Sequence, residues 1–247
     1  MTSSPPIRGI LLDIEGTTTP IAFVHEVLFP YARAHVKSYL TAHFDLPETI
    51  NSLAQLSQEH AIDIERGLEP PALGNATRAA EINSVVAYVE WLIDRDRKST
   101  GLKALQGEIW KQGYLDGTLR ASLFADVLPA LERWRRAGLR VSIFSSGSVL
   151  AQKLLFAHTD AGDVTELLDC YFDTTTGPKT VVESYRLIAD ELGVPAVEML
   201  FISDVAGELD AAAGAGFNTL LCVRPGNHPQ PDNDHPIVSS FDEVTSF

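Results

Sequence analysis

The feature that most constrains the fold is an alternation of strand-like and helix-like segments, which begins near residue 118. Strands that alternate with helices pair in parallel, because each helix carries the chain back to the same edge of the sheet. The sequence therefore predicts an α/β domain built on a parallel sheet. The predicted strands are 10–12, 139–144, 199–202 and 219–223, and the predicted helices are 128–136, 149–156, 179–192 and 208–213.

A long segment of different character separates the first strand from this alternation. Ile82, Val85 and Val89 recur at helical spacing, and the segment around them carries little strand signal. We therefore expect an all-helical domain inserted after the first strand. The predicted division assigns residues 1–20 and 118–247 to the core domain and residues 21–117 to the helical insertion.

Charge and composition exclude several classes of function. The chain has 19 Lys and Arg against 33 Asp and Glu, and the resulting net charge of −14 repels nucleic acids and anionic lipids. Cys170 and Cys222 are its only cysteines, which argues against a disulfide scaffold. Residues 1–8 lack the apolar stretch of a signal peptide. We therefore expect a cytoplasmic protein that binds neither nucleic acid nor a membrane.

Two carboxylates follow the first predicted strand. Asp13 and Glu15 lie two residues apart, and Gly16 permits a sharp turn behind them. One carboxylate can attack phosphorus to form an aspartyl-phosphate, and the other can protonate the leaving oxygen and later activate water. These residues alone would fit an ordinary polar loop equally well.

Three more polar groups stand at the ends of later strands or at the starts of later helices. Ser145 and Ser146 precede a predicted helix, where hydroxyl and N–H groups can cradle an anion. Lys179 can neutralise phosphate charge, and Asp204, with Glu208 following it, suits a magnesium ion. Each has an everyday alternative, namely a helix cap, a surface lysine and a capping aspartate.

These four groups of residues, which are the acid pair, the serines, the lysine and Asp204, together supply what phosphoryl transfer needs. That reaction depends mainly on positioning and charge neutralisation. In open α/β sheets, ligands bind beyond the carboxyl ends of the strands, where these residues are predicted to meet. A local cation and a metal would also allow an acidic protein to bind a phosphorylated metabolite. The set in this order therefore favours a metal-dependent phosphatase.

At these residues the chain resembles the haloacid-dehalogenase superfamily, which carries four such motifs on a Rossmann-like core and often closes a helical cap over its substrate. The resemblance implies that Asp13 is the nucleophile and that Ser145, Lys179 and Asp204 complete the motifs. Most phosphatases of that superfamily have Asp two residues after the nucleophile, whereas this chain has Glu15.

With Glu at this position, the chain resembles the enolase-phosphatases of methionine salvage. Their signature resembles residues 13–21, and residues 109–114, 144–148, 177–179 and 201–204 fit as well. The resemblance implies a bifunctional enzyme that enolises 2,3-diketo-5-methylthiopentyl-1-phosphate and then removes the phosphate, giving the acireductone. It further implies a monomer with one Mg²⁺ per subunit.

The same resemblance implies roles for individual residues. Mg²⁺ would be held by Asp13, Asp204 and the main-chain carbonyl of Glu15, and Ser145, Ser146 and Lys179 would bind the substrate. We expect Asp13, Glu15 and Lys179 to be catalytic, with Glu15 as our own candidate for the enolising base, which the resemblance does not identify. Phe23, close to where the helical insertion leaves the core, is likewise our own candidate for contact with the methylthio group.

Other functions stay open at this point. A Mg²⁺-dependent phosphatase for a different small metabolite would use the same residues. A dehalogenase is less favoured, because its leaving halide needs no proton and an acid at position 15 would have little purpose. A non-catalytic binding protein on this fold is the remote alternative, since such a protein would have no reason to keep the whole set.

Overall fold

The computed structural model describes residues 5–95 and 97–245, so residues 1–4 of the segment weighed against a signal peptide lie outside the described residues. The chain forms two compact units. One unit combines residues 1–24 with residues 120–247, and the other comprises residues 25–119.

The first unit is built on a six-stranded sheet in which every neighbouring pair is parallel. The strand order is β3-β2-β1-β4-β5-β6, so the chain moves outward in one direction from β1 and then returns to continue on its other side. The predicted α/β fold with a parallel sheet is confirmed. The strands are β1 Gly9–Leu12, β2 Arg140–Phe144, β3 Cys170–Phe172, β4 Met199–Ser203, β5 Asn218–Cys222 and β6 Ile237–Val238.

The central strand β1 is buried along its whole length, and its apolar sequence fits a position between two neighbouring strands. Leu12 is paired with Ile143 of β2 on one side and with Ile202 of β4 on the other. The carboxyl ends of the three central strands are therefore nearly level. Side chains that follow them are brought to one edge of the sheet.

Four helices connect the strands of this unit. Helix α7 packs with the aromatic ring of Tyr185 in the core, where its centroid lies 5.5 Å from Phe144, 5.2 Å from Phe201 and 5.7 Å from Phe217. Such ring pairs add to the burial of apolar area and fix the helix against the sheet. The helices are α5 Val127–Arg136, α6 Val149–Ala157, α7 Val182–Leu192 and α8 Ala206–Gly214.

Two predictions about this unit need correction. Strands β3 and β6 were missed, because three and two residues respectively are too few to show a periodic pattern. The helix predicted over 179–192 begins only at Val182. Lys179 therefore lies in the loop that precedes the helix rather than in its first turn.

The regular structure of the second unit is helical in the part of residues 25–119 that the structure describes, and a loop over residues 66–77 separates α2 from α3. Its interior includes a charged group, since the buried Asp63 accepts hydrogen bonds from Tyr88 Oη at 2.9 Å and from Arg97 Nη2 at 2.5 Å. A π-helical turn, Phe23–Leu28, leads into it from the first unit. The helices are α1 Phe29–His43, α2 Pro47–Glu65, α3 Arg78–Ile93 and α4 Thr100–Leu115.

Candidate active site

The carboxyl edge of the central strands gathers the residues that the motifs single out. Asp13 follows β1, Asp204 follows β4, and Ser145 follows β2. Asp13 N donates to Ile202 O at 3.0 Å, which carries the pairing of β1 and β4 one residue past the end of β1. The strand order reverses between β1 and β4, and ligands of open α/β sheets bind at such a switch point.

The ammonium group of Lys179 lies at the centre of this edge, between two carboxylates. Lys179 Nζ is 2.6 Å from Asp13 Oδ1 and 2.5 Å from Glu208 Oε2, and all three side chains are largely buried. Burial alone would lower the pKa of Lys179, but the charges of Asp13 and Glu208 outweigh it and hold the pKa above its ordinary value. The lysine is therefore a positive charge held between two carboxylates in a buried site.

Main-chain contacts hold the loop that carries this lysine. Tyr185 Oη donates to Lys179 O at 2.7 Å, and Ser184 Oγ donates to Pro178 O at 2.8 Å. Gly177 has a φ of 148°, and a Cβ there would collide with Ser184 Oγ. Glycine is therefore required at position 177, and the main chain of residues 178 and 179 is fixed to α7, which the sequence alone did not reveal.

Asp204 is buried beside other acids, and its environment disfavours its charged form. Burial and then the charge of Asp13 raise the pKa of Asp204 to about 7, with Glu208 and Glu15 adding to the effect and Lys179 opposing it. Burial and the charge of Asp13 also raise the pKa of Glu208. This excess of negative charge over one lysine is suited to a bound cation.

The carboxylate and carbonyl oxygens at this edge are the kind of donors that hold magnesium. In residues 5–95 and 97–245, no group of three or more His, Cys, Asp and Glu side chains is arranged to hold a metal ion. Two carboxylates, from Asp13 and Asp204, with a main-chain carbonyl would leave places for water and phosphate oxygens. Magnesium sites are commonly built in that way.

Gly16 shapes the turn that follows Asp13 and Glu15. Its φ is 71°, and a Cβ at this position would collide with the carboxylate of Asp204. Both the left-handed conformation and the close approach therefore require glycine here. The turn is closed by a hydrogen bond from Gly16 N to Thr19 O at 2.8 Å.

The serines after β2 are not the cap of the helix that follows. Ser148 Oγ accepts from Ala151 N and caps α6, whereas Ser145 Oγ accepts from Gly147 N at 3.3 Å. Ser145 is half-buried and Ser146 is exposed. Helix capping therefore does not account for Ser145 and Ser146, and their role in substrate binding stays a prediction.

Several residues at this edge were missed or left without a role by the sequence reasoning. Glu208 was noted only as following Asp204, although it lies four residues on in the first turn of α8 and reaches Lys179. Arg224 and Asn227, in the loop after β5, contact the turn at Gly16 and Thr17. No motif signal marked these two residues, because the segment has the composition of a polar, proline-rich loop.

Phe23 is buried at the start of the π-helical turn. A contact with the methylthio group of a substrate stays a prediction.

No helix in the described part of the chain combines the length and the hydrophobicity that crossing a membrane requires.

The parallel sheet with a buried lysine between carboxylates at its switch point defines a class of hydrolase. The family model described as haloacid dehalogenase-like hydrolase matches residues 7–216. The chain therefore belongs to the haloacid dehalogenase-like hydrolase family.

Within this family, the chain is similar over nearly its whole length to proteins that carry a more specific name. The chain is 52% identical to Enolase-phosphatase E1 of Synechococcus elongatus over 238 residues, covering 96% of this chain and 98% of that protein. It is 46% identical to Enolase-phosphatase E1 of Sorangium cellulosum, covering 97% of each chain. The crystal structure of the UTR4 protein from Saccharomyces cerevisiae is similar with a TM-score of 0.75 and 36% identity, covering 96% of this chain and 99% of that one.

Proposed function

We propose that this protein is an enolase-phosphatase that converts 2,3-diketo-5-methylthiopentyl-1-phosphate into the acireductone 1,2-dihydroxy-3-keto-5-methylthiopentene and phosphate, as a step of methionine salvage. The observation that carries the proposal is the buried ammonium of Lys179, which contacts both Asp13 and Glu208 at the carboxyl edge of the sheet. The names of the relatives that span nearly the whole chain support the particular reaction.

Phosphate release takes two steps in this proposal. An oxygen of Asp13 forms a bond to phosphorus while the ester P–O bond breaks, and Glu15 gives its proton to the leaving oxygen. Glu15 then takes a proton from water, whose oxygen attacks phosphorus and restores the Asp13 carboxylate. Lys179 bonds only Oδ1 of Asp13, so it can orient the carboxylate without occupying both oxygens.

The groups around the nucleophile balance the charge of the phosphate. Asp13, Asp204 and the main-chain carbonyl of Glu15 would hold one Mg²⁺, which when bound neutralises charge on the phosphate oxygens. Ser145 and Ser146, just before α6, would donate hydrogen bonds to the same oxygens. Lys179 contributes a positive charge that needs no rearrangement during the reaction.

Enolisation uses the same site before the phosphate leaves. Glu15 is our candidate for the base that removes the carbon proton, and the ammonium of Lys179 would stabilise the developing enolate. We further propose that the helical segment 21–117 acts as a cap domain, and that the protein works as a cytoplasmic monomer.

One experiment separates this function from its alternatives. The purified protein is mixed with the diketone phosphate, with and without Mg²⁺, while enol absorbance and free phosphate are followed together. We expect both signals to require the metal, and we expect Asp13→Asn, which removes the nucleophile, to abolish phosphate release. Phosphate release only from some other ester would support the role of Asp13 as the nucleophile, but it would reject the proposed substrate and the role in methionine salvage. No turnover of any ester would favour a non-catalytic protein.

A second variant tests the acid. Full turnover of the diketone phosphate by Glu15→Ala would show that both assignments to Glu15 are wrong.

A further inference from the structure

The turn that follows Glu15 is held by a side chain that is distant in sequence. Asn227 Nδ2 donates to Gly16 O at 2.9 Å and to Cys222 O at 3.1 Å, so it ties the turn to the end of β5. Its Oδ1 would lie 3.0 Å from a Cβ on Gly16, which places the amide directly against the turn. The carbonyl immediately after Glu15 is thereby fixed to the sheet.

Arg224 from the same loop holds the next carbonyl. Its Nε donates to Thr17 O at 3.3 Å, and its guanidinium makes two hydrogen bonds to Asp126, at 2.9 and 2.8 Å. The rings of Phe124 and Phe241 lie 4.5 and 4.8 Å from the guanidinium carbon. A planar group that is paired on one edge and flanked by two rings has little freedom to move.

The turn has few bonds of its own to those two carbonyls. The main-chain N–H groups of Thr17, Thr18 and Thr19 all donate to Ile14 O, at 3.2, 2.9 and 2.9 Å. These bonds make the turn compact but use only the carbonyl that precedes Glu15. Outside the turn, Phe124 N donates to Thr18 O at 3.0 Å, and the loop after β5 holds the carbonyls of Gly16 and Thr17, which follow Glu15 directly.

We propose that Asn227 and Arg224 are positioning residues for Glu15, which they act on through the carbonyls of Gly16 and Thr17. The proposal rests on the proposed function, in which Glu15 gives a proton to the leaving oxygen. A general acid must stay within hydrogen-bond reach of that oxygen, so a small displacement of the turn weakens proton transfer. Asp13 is tied separately to β4, and its attack on phosphorus is affected less.

The test compares two esters of similar shape that differ in how much their leaving groups need a proton. Phenyl phosphate releases a basic phenolate, whereas 4-nitrophenyl phosphate releases a weakly basic one. In Asn227→Ala we expect kcat/KM to fall about 30-fold for phenyl phosphate and less than about threefold for 4-nitrophenyl phosphate, since general-acid catalysis is worth roughly 100- to 10,000-fold in full. Arg224→Lys keeps the charge beside Asp126 and should show the same pattern more weakly.

Matched variants calibrate the result. Glu15→Gln should show the same dependence on the leaving group with a larger loss. Asn218→Ala is the control, because Asn218 Nδ2 also donates to two main-chain carbonyls, those of Val197 and Met199, but at the opposite end of β5. It should leave the ratio of the two kcat/KM values unchanged, and thermal unfolding of each variant verifies that it is folded.

Equal losses for the two esters in Asn227→Ala and Arg224→Lys would overturn the inference, because that pattern marks general structural damage. An unchanged kcat/KM for both esters would overturn it as well. In either case the proposed function would stand if two results hold. The unaltered protein must release phosphate, and in Glu15→Gln the value of kcat/KM must fall more for phenyl phosphate than for 4-nitrophenyl phosphate. If the unaltered protein cleaves no ester, both the function and the inference are rejected.

Discussion

The ionised form of Asp204 lowers the stability of the folded protein. Its pKa of about 7 in the folded chain lies above the value of 3.8 of an ordinary aspartate, so the folded state binds a proton more tightly than the unfolded chain does. The stabilisation from that proton is complete at low pH and is lost as the pH rises toward and through 7. At higher pH the metal-free protein must hold a buried carboxylate against its neighbours.

Asp204→Asn removes that penalty together with a proposed metal ligand. In the presence of a chelator at pH 8 we expect the variant to exceed the unaltered protein in free energy of unfolding by about 2 kcal/mol or more. The advantage should shrink at pH 5, where Asp204 is protonated in the folded protein. Urea unfolding followed by tryptophan fluorescence at both pH values measures the difference, and an advantage independent of pH would contradict this account.

Lys179 poses the opposite case, because its positive charge balances acids that are already buried. Lys179→Met should abolish phosphate release and lower the free energy of unfolding by about 3 kcal/mol, since removing one partner leaves uncompensated buried charge. Adding Glu208→Gln to that variant should restore part of the stability and none of the activity. Lys153→Met, at an exposed position in the same unit, should change stability by less than about 0.5 kcal/mol.

At the scale of elements, the turn after β1 is packed directly against the carboxylate of Asp204. Gly16→Ala combines backbone strain at positive φ with a collision against Asp204. We expect it to lower kcat by about 100-fold or more, because misplacing groups by an ångström can cost that much. The measurement is kcat for phosphate release, taken together with the midpoint of thermal unfolding.

Gly138→Ala is the matched control for that turn. Gly138 also has a positive φ, 79°, but nothing lies within 4 Å of a Cβ built there. It should lose about 1 kcal/mol of stability from backbone strain alone and keep its activity. If the two variants lost activity equally, the collision with Asp204 would not be the cause.

The elements also differ in how far the sequence could predict them. The four longer strands and the four helices that join the sheet are visible in the sequence because apolar runs and helical spacing are local signals. Strands β3 and β6 are set instead by pairing with β2 and β5, which no local pattern records. The start of α7 was misplaced because Lys179 is held by Tyr185 and by an acid 166 residues away rather than by helical bonds.

The candidate site divides in the same way. The placement of Asp13 and Asp204 at the carboxyl edge of the sheet could be predicted, since both directly follow strands that are visible in the sequence. Their roles stay a prediction. Glu208, Arg224 and Asn227 could not be given roles, because each acts through a contact with a segment distant in sequence. Their chemistry depends on the fold, and only the spacing of Glu208 from Asp204 offered a local hint.

At the scale of the whole molecule, the net charge of −14 and the acidic site work against the approach of an anionic substrate. Lys179 places one positive charge where the anionic substrate would bind. The carboxyl groups of Asp13, Asp204 and Glu208 outnumber that charge. A cation that binds the folded protein should therefore stabilise it as well as serve the reaction.

Mg²⁺ should accordingly raise the thermal midpoint of the unaltered protein. At a concentration about 100 times its dissociation constant, binding adds about 2.7 kcal/mol, which for a chain of this size corresponds to a rise of roughly 5–10 °C. Sodium chloride at equal ionic strength is the control, because screening of surface charge is not specific to the metal. Asp204→Asn should lose most of the rise. An equal rise with sodium chloride, or an undiminished rise in Asp204→Asn, would place the effect of Mg²⁺ elsewhere on the acidic surface.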